Sequence, residues 1–508
     1  MFTTKRYTFA LLLFIVSLLL AAQPVYGATE VGQVLGVPAW TDTMGGALQD
    51  DGYALAVDGG GNTVIVGDFR GSADFDPGAG TYILNSVGSI DAFIVKLDPS
   101  GALIWAVSVG GTRSTTASDV AVDASGDVYV IGSFDGETDF DPGAGQQLVE
   151  SHGSTDVFLL RLDGDGNLVR AVTLGSEKSD DGEAVDVDWR GHIYITGSFE
   201  DSMEVGIDPN GGDIVLESEG DDDVFVIRYA NQGELLRAWT LGGDDDDVGR
   251  DIVVDDNGNV YVAGDFEGKI DLDPDLDDIR RSKGHEDVFV AKYDDTADEK
   301  WGATFGGREE DVRPSISVDR AGNVYVTGSF ESTADFDPSS GVYELSSHGE
   351  EDIFILRLNS AGVLNWASAI GGLGADRGEG IAAGYYGDLF VTGSFHASVD
   401  FNPNVGEAIL NSAGQKDVFI GRYGTNGIFV EVQRIGGAQQ DVGNAIALDK
   451  TDGLYIGGSF QGTADFNAGA GGVSRTAAGD NDVFAVKRTY STTPFGPVAS
   501  YLPYFKSP

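Results

Sequence analysis

Two short patterns recur seven times in one phase along this 508-residue chain, and that periodicity constrains the fold more than any local feature does. A Gly-Ser/Asp-Phe pattern places its phenylalanine at Phe69, Phe134, Phe199, Phe266, Phe330, Phe395 and Phe460, at spacings of 64 to 67 residues. A second pattern, Asp-x-Phe-x-x-Lys/Arg, begins at Asp91, Asp156, Asp223, Asp287, Asp352, Asp417 and Asp482. Each unit offers four strand segments, in the second unit Asp119 to Asp123, Asp127 to Phe134, Val157 to Asp163 and Leu168 to Leu174. They are rich in Val, Ile, Tyr and Phe and are separated by Gly, Asp, Asn and Ser, the chemistry of strands and turns. Val128-Tyr129-Val130-Ile131 is apolar on both faces, as a strand sandwiched between two neighbouring sheets must be. A β-solenoid repeats in fewer residues and a string of sandwiches needs more per unit. The expected fold is therefore all-β: a single seven-bladed β-propeller with four-stranded blades of about 65 residues.

The ends of the chain extend this expectation. Lys5 and Arg6 precede the apolar run Phe9 to Ala22, which is short for a membrane span and ends in small residues, so residues 1–27 are read as a cleaved signal peptide. Residues 28–490 form the propeller and residues 491–508 a C-terminal tail, which is expected to be disordered or packed on the ring. Val37 to Met44 carries the fourth-strand pattern without a blade of its own, whereas the seventh unit lacks a fourth strand after Val483 to Lys487. The N-terminal segment is thus expected to pair antiparallel with Val483 to Lys487 and close the ring. Export implies a secreted or cell-surface protein, a monomer with no membrane span after cleavage. Cysteine is absent, which excludes disulfides, thiolate metal sites and thiol catalysis. The net charge of −51 disfavours nucleic acid and anionic lipid as partners.

The unit Leu241-Gly242-Gly243, Asp247, Val254-Asp255, Gly258-Asn259-Val260-Tyr261-Val262 and Asp287-Val288-Phe289-Val290-Ala291-Lys292 resembles the bacterial β-propeller repeat called the SBBP repeat. The resemblance runs over roughly residues 40 to 490, and it implies an extracellular propeller with no common activity. An inserted Asp-Phe-Asp-Pro-Gly segment departs from that pattern.

Propeller connectivity puts the long acidic loops on one face, together with Asp50 and Asp441. The insertion supplies carboxylates two residues apart: Asp74 and Asp76, Asp139 and Asp141, Asp335 and Asp337, and a longer run of Asp271, Asp273, Asp275 and Asp277. Oxygen ligands at alternating positions suit Ca2+, so these residues are the candidate metal ligands, although the glycine and distal glutamate of an EF-hand are missing. The competing reading is that they fold Asx turns before proline. The aspartate opening Asp-x-Phe-x-x-Lys/Arg is expected to be structural, and its basic partner, for example Lys96 or Arg161, to tie the blade to a neighbour. Trp40, Trp105, Trp301 and Trp366 share one column and are read as blade packing; Trp189 breaks the pattern and is the candidate sugar platform.

No catalytic motif emerges, and carboxylates are too abundant to single out a pair. The preferred function is a non-catalytic binding scaffold presenting its acidic, calcium-binding face to a protein or glycan. The alternative is a polysaccharide hydrolase or lyase using carboxylates at the mouth of the central channel. A third reading is a purely architectural surface component.

Overall fold

The computed structural model describes residues 35–490 apart from 208–212, 274, 275, 277, 386, 452 and 468–471. The signal-peptide and tail expectations lie outside these residues. Six of the sequence repeats each supply an antiparallel four-stranded set, and the seventh supplies three strands, to which the N-terminal strand is added. In the second repeat the strands are Thr115–Val122, Val128–Phe134, Asp156–Leu162 and Leu168–Leu174, in register Thr115 to Phe134, Asp156 to Phe134 and Val157 to Leu174. The two middle strands are buried along nearly their whole length, which is why their sequences are apolar on both faces. This is β-propeller repeat architecture.

The first strand is longer than the sequence pattern suggested because a β-bulge interrupts its alternation. The register shifts between Gly52 and Ala54, Ala117 and Asp119, Gly182 and Ala184, Gly249 and Asp251, Val312 and Ser315, Gly378 and Gly380, and Gly443 and Ala445. A bulge re-aims the side chain it inserts. The first strands of successive repeats are bonded to one another. Asp119 Oδ2 accepts the Val185 N–H at 2.9 Å, Asp186 Oδ2 that of Val254 at 2.8 Å, and Asp251 Oδ2 that of Ile316 at 2.8 Å. Asn444 Nδ2 of the last repeat donates to the Gly52 carbonyl of the first at 2.8 Å.

The insertion forms a short hairpin that the sequence patterns did not reveal, for example Ser72–Asp74 with Ile83–Asn85 and Glu137–Asp139 with Leu148–Glu150. Its first strand also pairs with the end of the preceding repeat's fourth strand, Gly110 to Asp139 and Gly111 to Thr138. The phenylalanine between its aspartates is buried. Phe75 meets Phe69 edge-on at 5.3 Å and Phe93 at 4.8 Å; Phe140 meets Phe134 and Phe158, Phe336 meets Phe330 and Phe354, and Phe401 meets Phe395 and Phe419 in the same way. The two sequence patterns and the insertion share a phase because their phenylalanines build one aromatic cluster, in which edge-to-face pairs add to plain burial.

The N-terminal strand Pro38–Gly46 pairs antiparallel with Ser474–Thr489, from Trp40 opposite Lys487 to Met44 opposite Val483. The register breaks between Pro38 and Trp40, where proline has no N–H to give. The tryptophan column links repeats: the indole N–H of Trp105 donates to Gly164 O at 3.0 Å, and those of Trp40, Trp301 and Trp366 donate to Pro99 O, Ser360 O and Thr425 O, each at 3.2 Å. The basic residue of the second pattern also reaches the next repeat, Arg161 Nη1 donating to Asn231 O at 2.6 Å and Arg357 Nη1 to Thr425 O at 3.2 Å.

The Gly-Gly that ends the fourth strand, replaced by Gly175-Ser176 in the second repeat, is a close-approach site. A Cβ on Gly306 would lie 2.2 Å from Asp287 Oδ1, and one on Gly307 would lie 2.4 Å from Thr333 O. Gly306→Ala is therefore expected to cost about 1–3 kcal/mol through forced displacement of a buried carboxylate. Urea unfolding measures this, and a variant with an unchanged midpoint would remove the packing argument.

Candidate functional site

The predicted ligand pairs serve the backbone of their own hairpins. Asp74 Oδ1 accepts the N–H groups of Asp76 at 3.1 Å and Tyr82 at 2.8 Å, and Asp76 Oδ1 that of Gly78 at 2.8 Å. Asp139 holds Asp141 and Gln147, with Asp141 holding Gly143; Asp335 holds Asp337 and Tyr343, with Asp337 holding Ser339. Asp271 Oδ1 accepts from Asp273 and Asp278, and Asp273 Oδ1 from Leu276. These are Asx turns, and they use one oxygen, Oδ1, of each aspartate. Asp275 and Asp277 lie outside the described residues. Among the described residues no group of three or more His, Asp or Glu side chains is placed to hold a metal ion.

The bulged residues create a different site. Tyr53, Ser118, Glu183, Arg250, Arg313 with Pro314, Glu379 and Asn444, one position from each repeat, line a cavity of about 350 Å3. An adjoining cavity of about 370 Å3 shares Tyr53, Arg313, Glu379 and Asn444 and adds Arg377 and Lys416. Bulges explain the convergence: each re-aims one residue of its first strand toward the cavity. These positions vary in charge from repeat to repeat. Sequence reasoning did not single out these residues because the bulge obscures their direction.

Most of the charges in this region are tied down. Arg250 is held by Asp265 and by Glu183, with Nη1 to Glu183 Oε1 at 3.0 Å. Arg377 is gripped by both oxygens of Glu351. Asp119 and Asp251 carry the backbone bonds between first strands given above. Among the described residues Glu379 makes no such bond; burial raises its pKa, opposed by Arg313, Arg377 and Lys416. The arrangement is suited to binding polar groups.

On the side of the first-to-second-strand turns, a cavity of about 840 Å3 is bordered by Asp255, Arg320, Tyr385 and Lys450. Tyr385 is 69% exposed and carries Arg320 over its ring at 4.6 Å. The candidate platform Trp189 is also 69% exposed and has Arg190 over its ring at 4.8 Å. His152 and His348 each sit on the buried aspartate four residues on, Asp156 and Asp352, as repeat structure.

No family model matches the chain. It is 30% identical over 156 residues to the regulatory protein FlaEY of Caulobacter vibrioides, covering 30% of this chain and 16% of that protein. It is 22% identical over 442 residues to an uncharacterized WD repeat-containing protein of Acanthamoeba polyphaga mimivirus, covering 72% of this chain and 32% of that one. The chain thus spans less than a third of the length of either curated relative. Among solved structures it is similar to Sqt1 from Chaetomium thermophilum, with a TM-score of 0.42 at 11% identity over 89% of this chain and 100% of that one. It is also similar to the Neurospora crassa Pan2 WD40 domain, with a TM-score of 0.37 at 9% identity over 86% and 88%. WD40 and β-propeller-like repeat proteins are its structural neighbours.

The hairpin carboxylates yield a stability prediction. Although burial opposes it, the Tyr343 and Asp337 N–H groups hold Asp335 below the usual carboxylate range. Asp335→Ala is expected to lose about 2 kcal/mol at pH 7, and Asp335→Asn less, because an amide oxygen still accepts. Equal stability of the alanine variant and the parent in urea would show that these bonds carry no weight.

Proposed function

We propose that this chain is an exported, non-catalytic binding protein: a closed seven-bladed propeller of the secreted bacterial kind its motifs resemble, presenting its acidic insertion face and channel mouth to a glycan or protein. The observation that carries this reading is the single cavity bordered by bulge residues from the first repeat, Tyr53, through the last, Asn444. A site assembled from one residue per repeat exists only where first strands converge on an axis, and ligand sites favour such concave mouths. Ring closure is supported by the pairing of Trp40–Met44 with Val483–Lys487 and by the Asn444 bond to Gly52. The insertion hairpins pair beside Gly45, Gly110 and Gly436, at the end where Asp50 and Asp441 begin their strands, and this supports an acidic rim around the mouth.

Binding without turnover is the expected result when the mature chain is screened against a glycan array and captured ligands are then analysed; released oligosaccharide would contradict it. Closure has its own test. Deleting Leu35 to Met44 exposes the edge of Ser474–Thr489 and is expected to lower the melting temperature by about 10 °C or more. A truncated protein that melts with the full mature chain would refute closure by this strand.

A further inference from the structure

One exposed residue bordering both cavities breaks the repeat in both chemistry and backbone. The position two residues after the start of the first strand is Gly52, Ala117, Gly182, Gly249, Gly378 and Gly443 in six repeats. In the fifth it is Arg313, followed by Pro314, with φ at 57°. That left-handed conformation is unfavourable for a side chain as large as arginine, and such outliers persist where the surroundings or a function demand them. The Arg313 N–H is fixed to Asp265 Oδ1 at 3.0 Å. Its guanidinium makes no hydrogen bond or ion pair among the described residues, and it borders both cavities.

A second cation behaves alike. Lys416 lines the cavity of about 370 Å3, is half-buried, and its ammonium has no hydrogen-bond or ion-pair partner among the described residues. Burial and the neighbouring Arg377 lower its pKa, and Glu351, Glu379 and Asp376 oppose them. Arg377 completes the group, although Glu351 holds it. A chain with 31 Lys and Arg against 82 Asp and Glu therefore gathers three cations around one small cavity and leaves two of them unpaired. Glu379 is the one carboxylate bordering it.

The neutral groups narrow the ligand. Ser394, Gln440 and Asn444 border the same space; with Asn444 Nδ2 already given to Gly52 O, its Oδ1 is free to accept a hydroxyl. Phosphate sites draw on converging backbone N–H groups at helix starts or glycine-rich nests, whereas the positive groups here are side chains. Arginine with lysine suits a carboxylate, and the amides and hydroxyl suit a polyol.

We propose that this cavity binds the carboxylate of an acidic sugar, a hexuronate, with Arg313 and Lys416 on the carboxylate and Gln440 and Asn444 on the ring hydroxyls. This deepens the binding reading above and rests on it. The test is calorimetry of the full mature chain with D-glucuronate, D-galacturonate, D-glucose and inorganic phosphate at millimolar concentrations. One or both uronates should bind, and glucose should bind at least tenfold more weakly. Arg313→Gly restores the residue of most repeats, so it should fold, melt higher than the parent, and lose uronate affinity by at least tenfold; Lys416→Gln should also weaken it. No uronate binding, uronate binding unaltered in Arg313→Gly, equal binding of glucose, or binding of phosphate alone would each overturn the proposal. A chain that still captures a glycan or protein on its loop face while failing the uronate titration would overturn this inference and leave the scaffold reading standing.

Discussion

Where one repeat meets the next, two aspartates are buried against the same glycine. One opens the third strand of a repeat; the other opens the first strand of the repeat that follows. A Cβ on Gly45 would lie 2.7 Å from Asp482 Oδ1 and 3.0 Å from Asp50 Oδ2. Each carboxylate accepts nearby N–H groups, as Asp156 does from His152 and Asp180 from Ser176. Yet Oδ1 of Asp156, Asp180, Asp287, Asp311, Asp352, Asp417 and Asp482 is buried without a hydrogen-bond partner. Orphaned buried oxygens are costly, and two like charges so placed are costlier still. Burial accordingly raises these groups: Asp50, Asp180, Asp376 and Asp441 to about 7, and Asp311 to about 8. The second repeat avoids the conflict by using Thr115, whose hydroxyl meets that of Thr138 at 3.2 Å.

This junction fixes much else. The aspartates bind the loop that precedes the third strand and the glycine that ends the fourth, so the repeat cannot drift in phase without unburying a carboxylate. The Gly-Gly must stay small for the insertion hairpin to pair beside it, and the hairpin's phenylalanine then completes the aromatic cluster. Because junction, cluster and tryptophan latch carry the packing, the bulge positions on the first strands are free to differ. Tyr53, Glu183, Arg250 and Asn444 occupy equivalent places with unlike chemistry, and Arg313 takes the adjacent glycine position at the cost of the strand pair that the other repeats keep there.

The strand plan was legible in the sequence because a strand covered on both faces is a continuous apolar run; Leu168–Leu174 was read to the residue. The first strand was shortened in the reading, since its bulge breaks alternation and Thr115 to Ser118 is not apolar. The insertion hairpins were invisible because three-residue strands have no period, and Phe75 or Phe140 looked like loop residues until their burial was seen. The oxygen spacing of Asp74 and Asp76 is equally compatible with a cation and with Asx turns, and the structure adds the backbone N–H groups that Oδ1 of each accepts. The cavity was the least legible part, for it is assembled from residues roughly a repeat apart. Its one signal in the sequence was Arg313-Pro314 standing where other repeats have a small residue.

The claim on which this account rests is that neighbouring repeats are locked by aspartates buried at a cost in charge, and Asp180 tests it most directly. A native-state pKa of about 7, against 3.8 as the ordinary value, means the folded protein binds the proton more tightly than the unfolded chain. The stability from that proton is complete below 3.8 and is lost as pH rises through 7. The decisive measurement is the melting temperature of the parent and of Asp180→Asn at pH 5 and at pH 8. The parent should melt higher at pH 5. The variant, whose amide keeps the Ser176 bond and can donate toward Asp156 Oδ1, should melt above the parent at pH 8, with the gap closing at pH 5. A parent that melts lower at pH 5 than at pH 8, or a variant destabilised equally at both, would contradict the account.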